Sequence, residues 1–245
     1  QAQISKDSDK DGNDVTDQDS VPDKWNEGED DQDIEKVKVQ YFDLSLRKWV
    51  TQAIVTENGE DKIIESGHKA EDDPEDVVKV DLKKSKINSV TIKFRYKIRV
   101  KNEGNIAGYA KELKDYIPDG LKFVAEDNPL WKQIDEKTIT TDQTKDILLQ
   151  PGDTTEVEVL LTWINDSENF GVMDNWAEIS KDHNDFNSPD IDSTPDNNKK
   201  GEDDIDDAPV SVGVQTGQLR TFTTIGLAVL VILSSGVVLI KKFVL

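Results

Sequence analysis

Between Val90 and Val100 the chain alternates without a break. Val90, Ile92, Phe94, Tyr96, Ile98 and Val100 are apolar, while Thr91, Lys93, Arg95, Lys97 and Arg99 between them are polar or charged. A period of two puts the first set on one face of an extended strand and the second on the other, so this segment reads as a half-buried strand rather than a helix. Val157, Val159, Leu161 and Trp163, set against Glu156, Glu158 and Thr162, repeat the pattern after the turn pair Pro151-Gly152. Asn58-Gly59 marks another tight turn, and the charged stretch 66–75, with Gly67 and Pro74, reads as a surface loop. No long window shows helical periodicity. Several strands separated by turn signals predict an all-β, antiparallel sandwich over residues 34–214, immunoglobulin-like in architecture.

Composition narrows the function. Against 51 Asp plus Glu stand 30 Lys plus Arg, a formal net charge of −21. Binding nucleic acid requires a basic face to neutralise phosphates, so that class is excluded. There is no cysteine, which removes disulfides, zinc–thiolate sites and thiol catalysis, and the two histidines, His68 and His183, lie far apart in polar segments. The material for a conventional enzyme site is missing, and the expectation is a non-enzyme.

The run from Thr221 to Ile240 holds twenty residues without a charge, followed directly by Lys241 and Lys242. About twenty apolar residues at 1.5 Å each cross the hydrocarbon layer, and the basic pair places the short tail inside. The organisation expected is therefore an acidic linker and stub at 1–33, the sandwich at 34–214, a juxtamembrane segment at 215–221, a single transmembrane helix at 222–240 contacting membrane lipid, and a cytoplasmic tail at 241–245. Everything before residue 220 would face outward.

The chain begins at Gln1 and its only methionine is Met173, which suggests a processed or truncated chain. An internal repeat points the same way. Ala2-Gln3-Ile4-Ser5-Lys6-Asp7 matches Ala177-Glu178-Ile179-Ser180-Lys181-Asp182 at an offset of 175, and Asp17 to Val39 aligns with Asp190 to Val212 at an offset of 173. The stub is then the tail of a preceding unit in a tandem array. Within it Asp7, Asp9, Asp11 and Asn13, with Gly12, resemble the start of an oxygen-ligand calcium loop; the twelfth position holds Gln18, and a solvated acidic linker is the alternative.

Parity isolates three polar residues on the core face of strands. Lys48 falls in phase with Phe42, Leu44, Leu46 and Val50; Asn175 with Met173, Ala177 and Ile179; Asp115 with Leu113 and Ile117. Glu103 and Glu112 fall out of phase. Each of the three has an ordinary role open to it: snorkelling for Lys48, backbone satisfaction for Asn175, a turn cap or a buried ion pair with Lys48 for Asp115. Taken together they suggest chemistry. Burial depresses a lysine pKa and raises a carboxyl pKa, so a neutral amine beside a protonated acid could attack the Asn175 amide, expel ammonia and join Lys48 to Asn175.

The segments 42–48 (Phe-Asp-Leu-Ser-Leu-Arg-Lys), 102–105 (Asn-Glu-Gly-Asn), 115–121 (Asp-Tyr-Ile-Pro-Asp-Gly-Leu) and 175–179 (Asn-Trp-Ala-Glu-Ile) resemble the conserved-repeat, immunoglobulin-like domains of Gram-positive surface proteins. The resemblance covers most of 37–214. It implies a stalk or adhesin-like module at the cell surface, in which Lys48 and Asn175 form the isopeptide bond with Asp115 as the assisting acid. Gly213-Val214-Gln215-Thr216-Gly217 looks like a degraded sortase signal, with Thr216 and Gly217 in place, so cell-wall attachment stands beside membrane retention. A ligand-binding adhesin for a host or matrix glycan or protein is the competing reading, with Trp25, Trp49, Trp131 or Trp176 as the candidate patch. A calcium-stiffened spacer without the isopeptide is the other.

Overall fold

The computed structural model describes residues 1–26, 28–72, 76–166 and 168–215. The chain divides into two compact units, Gln1–Gln40 and Tyr41 onward. The expected membrane helix at 222–240, the cytoplasmic tail, Thr216 and Gly217 lie outside the described residues. Among those that are described, no helix is long and apolar enough to cross a membrane.

The larger unit is a two-sheet β-sandwich. One sheet orders its strands β4 (Glu60–Glu65), β3 (Leu44–Glu57), β6 (Val90–Asn102), β11 (Thr154–Trp163) and β8 (Leu121–Phe123). The other runs β5 (Val78–Leu82), β13 (Ile205–Val214), β12 (Gly171–His183), β7 (Tyr109–Tyr116), β10 (Thr138–Thr141) and β9 (Lys132–Gln133). The alternating segment becomes β6, the centre of the first sheet. Its apolar residues are buried, whereas Lys93, Arg95, Lys97 and Arg99 on the other face pair with Asp127, Glu156 and Glu158. Asn58 and Gly59, with φ of 52° and 81°, make the two-residue turn between β3 and β4; two positive φ values are what the right-handed twist of a tight hairpin demands. In one respect the sandwich departs from the expected antiparallel pattern: β5 lies parallel to β13, with Val78 opposite Val210. The two strands are far apart in sequence, so no hairpin constrains their direction.

Asn102, fully buried at the end of β6, fixes how the chain turns there. Its Nδ2 donates to the carbonyls of Ile106 and Leu149 at 2.9 Å each, and its Oδ1 accepts from Gly104 N at 3.0 Å. The Asn-Glu-Gly-Asn segment is thus a structural knot. Gly108 just beyond it packs so closely that a Cβ would stand 2.2 Å from the Phe42 ring and 2.8 Å from the His183 carbonyl.

In the smaller unit β1 (Ala2–Gln3) pairs antiparallel with β2 (Gln32–Asp33), Ala2 opposite Asp33 and Gln3 opposite Gln32. At the repeat offsets these are Ala177 opposite Asp206 and Glu178 opposite Ile205, which are the pairs β12 and β13 make. The equivalence extends through the loop. Ile4 N donates to Asp31 O as Ile179 N does to Asp204 O, and Val21 N donates to Glu29 Oε2 as Thr194 N does to Glu202 Oε2. Asp23 and Asp196 share the left-handed conformation at φ of 62° and 63°. Residues 1–33 therefore reproduce the terminal hairpin of the sandwich.

Candidate functional site

Lys48, Asp115 and Asn175 meet between the two sheets. Asp115 on β7 pairs across to Ala177 of β12, so Asn175, two residues along β12, emerges on the same inner face. Lys48 approaches from β3 in the opposite sheet. Exposure is 2% for Lys48 and 0% for both Asp115 and Asn175. Lys48 Nζ donates to Asp115 Oδ2 at 2.6 Å, and Asn175 Nδ2 makes a longer contact of 3.4 Å to the same oxygen. The Tyr96 ring lies with its centroid 5.1 Å from Nζ. The backbone of Lys48 is held as well, its N–H donating to Asp206 Oδ2 at 2.7 Å, while Leu46 N donates to Asp203 O at the same distance. The first half of β3 is thus stitched to the start of β13.

Burial dominates the electrostatics. It pushes the Lys48 pKa down and the Asp115 pKa up, each shift opposed by the partner's charge. Both directions favour the neutral amine and the neutral acid. One carboxyl oxygen touches both the amine that would attack and the nitrogen that would leave, so Asp115 as the neutral acid is placed to give its proton to Nδ2 and take one from Nζ. The atom of Asn175 in contact with the acid is the amide nitrogen. Glu103 and Glu112 take no part: Glu103 pairs with Lys101, and Glu112 with Lys181 and Ser180.

The loop at 7–13 closes on itself. Asp9 Oδ1 accepts from the backbone of Asp11 and Asn13 at 2.9 Å each, and Asn13 Nδ2 donates to Asp9. Among the described residues, carboxylates converge elsewhere. Asp43, Asp190, Asp192 and Asp203 bring one oxygen each to within 4.8 Å of one another. Burial and mutual repulsion raise Asp43 to about 6 and Asp203 to about 7. Sequence reasoning missed this group because its members sit in loops, where periodicity is silent. The signal that could have found it was the repeat, which places Asp17, Asp19 and Asp30 at the positions of Asp190, Asp192 and Asp203.

Of the four tryptophans considered for a binding patch, Trp49 and Trp131 are buried, contrary to that reading. Trp49 lies on the outer face of β3 but is covered by the Arg99 guanidinium, 5.4 Å from its ring, and Trp131 sends its indole N–H to Glu158 O. Trp176 carries Lys200 at 3.8 Å above its ring.

No family model matches the chain, and no curated protein does. Among solved structures it is similar to the CARDB domain of a Pyrococcus furiosus protein, crystallised in complex with di-metal ions. That likeness has 13% identity and a TM-score of 0.31, covering 73% of this chain and 100% of that one.

Proposed function

We propose that this chain is a load-bearing repeat of an anchored surface stalk, its two sheets joined by an amide bond between Lys48 Nζ and Asn175 Cγ. The observation that supports the reading most is the shared oxygen: Asp115 Oδ2 lies 2.6 Å from the amine and 3.4 Å from the amide nitrogen in a solvent-free core. In the reaction the Lys48 amine attacks the Asn175 side-chain carbonyl carbon, one N–H proton passes through Asp115 to Nδ2, the C–N bond breaks and ammonia leaves. Atoms balance without cofactor or oxidant. The event occurs once per molecule, so the protein turns over no substrate. Anchoring through the apolar run at 222–240, with the sandwich outside the cell, belongs to the same proposal.

Intact-mass measurement tests the bond. The chain should weigh one ammonia less than its sequence, and Lys48→Ala, Asp115→Ala and Asn175→Ala should each restore the full mass, while Glu103→Ala and Glu112→Ala should not. A full sequence mass in the unsubstituted chain would overturn the crosslink and leave Lys48 and Asp115 as a buried ion pair.

A further inference from the structure

The four-carboxylate group stands where the chain enters the sandwich. Asp43 immediately precedes β3, Asp190 and Asp192 lie in the loop after β12, and Asp203 sits just before β13. The loop is already fixed to the entering chain: Asp190 Oδ2 accepts from Leu44 N at 2.7 Å, its Oδ1 accepts from Asp192 N and Ser193 N, and Ile191 N donates to Phe42 O. Four acids gathered within 4.8 Å repel one another, and among the described residues no lysine or arginine is ion-paired with them.

A second observation concerns the atoms left over. Asp43 Oδ1 and Asp203 Oδ1 are closed off from solvent and accept no hydrogen bond. Asp204, next along the chain, is 2% exposed and neither of its carboxylate oxygens has a hydrogen-bond partner. Burial pushes the Asp204 carboxyl up to about 7, and the charges of Glu178, Glu202, Asp190 and Asp203 add to that shift. The stub repeats this. Asp31, the counterpart of Asp204, is 6% exposed with both oxygens unpartnered. A buried carboxylate without a donor is costly wherever it occurs, and here the same atoms are left so in two copies. Loops that hold such oxygens together against repulsion fit a cation better than they fit each other.

We propose that Asp43, Asp190, Asp192 and Asp203 bind a hard divalent cation of the calcium class, and that Asp17, Asp19 and Asp30 are three of the same four ligands in the preceding repeat. All donors are oxygen, with no imidazole or thiolate, which selects a hard ion over zinc or copper. Asp43 comes from the entering chain and the other three from the β12–β13 loop. Bound cation would therefore clamp the junction to the end of its own domain. The site is separate from the crosslink, whose state is read independently by intact mass.

The test is calcium titrated alone into the full chain, followed by calorimetry and by thermal unfolding. Binding is expected in the roughly 0.1–1 mM range of extracellular modules, with a rise in Tm. Asp43→Asn should weaken the tighter binding event at least tenfold, whereas the double substitution Asp9→Asn with Asp11→Asn should leave it unchanged. Without calcium, Asp43→Asn should melt at or above the temperature of the unsubstituted chain, because one repelling charge is gone; that result shows the variant folded. The proposal is overturned by absence of heat and of any Tm change up to about 10 mM calcium, by binding that Asp43→Asn leaves intact, or by binding that the Asp9 and Asp11 substitutions abolish.

Discussion

Asn175→Ala separates a crosslinked sandwich from one that merely buries a lysine, because it removes the acceptor and leaves the 2.6 Å Lys48–Asp115 contact in place. If the amide bond exists, it closes a loop of roughly 130 residues, and opening that loop restores about 5 kcal/mol of unfolded-state freedom in the chain-entropy picture. For a domain of this size each kcal/mol moves Tm by about 2–4 °C. The variant should then melt about 10–20 °C below the parent. If no bond exists, the substitution loses the hydrogen bonding of one buried amide, the 3.4 Å contact to Asp115 included, and a few side-chain atoms. That costs about 1–2 kcal/mol and should lower Tm by about 2–8 °C. Differential scanning calorimetry on both proteins, with intact mass taken from the same samples, reads the two alternatives together. A parent lighter by one ammonia whose variant melts within about 4 °C of it would refute the energetic argument while leaving the chemistry standing. A parent of full sequence mass would refute both.

Asp207, pushed up to about 7 by burial and by the carboxylate of Asp174 beside it, binds more protons folded than unfolded above its ordinary value of 3.8. Its contribution to stability is therefore complete at low pH and is lost as pH rises through about 7; denaturant titrations at pH 5 and 8 should show a smaller fall for Asp207→Asn than for the parent. Gly108→Ala drives a methyl group into the Phe42 ring and the His183 carbonyl, and equilibrium unfolding should find it destabilised by about 2–3 kcal/mol. Asn102→Ala leaves the Ile106 and Leu149 carbonyls and the Gly104 N–H without their partner, which should cost about 2–4 kcal/mol in the same measurement.

What could be read from the sequence followed from strand geometry. Where a strand is long and its alternation clean, as from Phe42 to Val50, a single polar residue in the apolar phase stands out, and Lys48 does lie in the core. Asp115 and Asn175 were visible for the same reason, each flanked two residues away by apolar neighbours. That the three converge was an expectation of the resemblance and not of parity, because convergence depends on which strands face each other across the sandwich. The parallel docking of β5 on β13 was also hidden, since strand direction leaves no mark on a five-residue pattern. Trp49 misled because its phase is outward, and only the tertiary contact with Arg99 covers it. The carboxylates at 43, 190, 192 and 203 were hidden in plain composition, being a few acids among 51.

The two proposed devices act on the same stretch of chain, and that gives the fold a mechanical logic. A fully buried lysine is an expensive element in a core: two charges leave water, and their attraction seldom does better than well-packed apolar side chains. Amide formation removes the ionisable amine altogether, leaves Asp115 as a neutral acid beside it, and adds a bond that constrains the unfolded chain. Force arriving at Tyr41 meets Asp43 first, then Leu46 and Lys48, whose backbone N–H groups are held by Asp203 O and the Asp206 carboxylate. With the amide bond in place, load crosses from β3 to β12 at Lys48 and leaves through the adjacent β13, so the strands between residues 49 and 174 carry little of it. The segments still exposed to force are the short run before Lys48 and the run after Asn175, and the carboxylates of Asp43, Asp190, Asp192 and Asp203 would clamp the one to the other when a cation joins them. Covalent bond and cation are in this view complementary: the first protects the core of the sandwich, the second the lead into it.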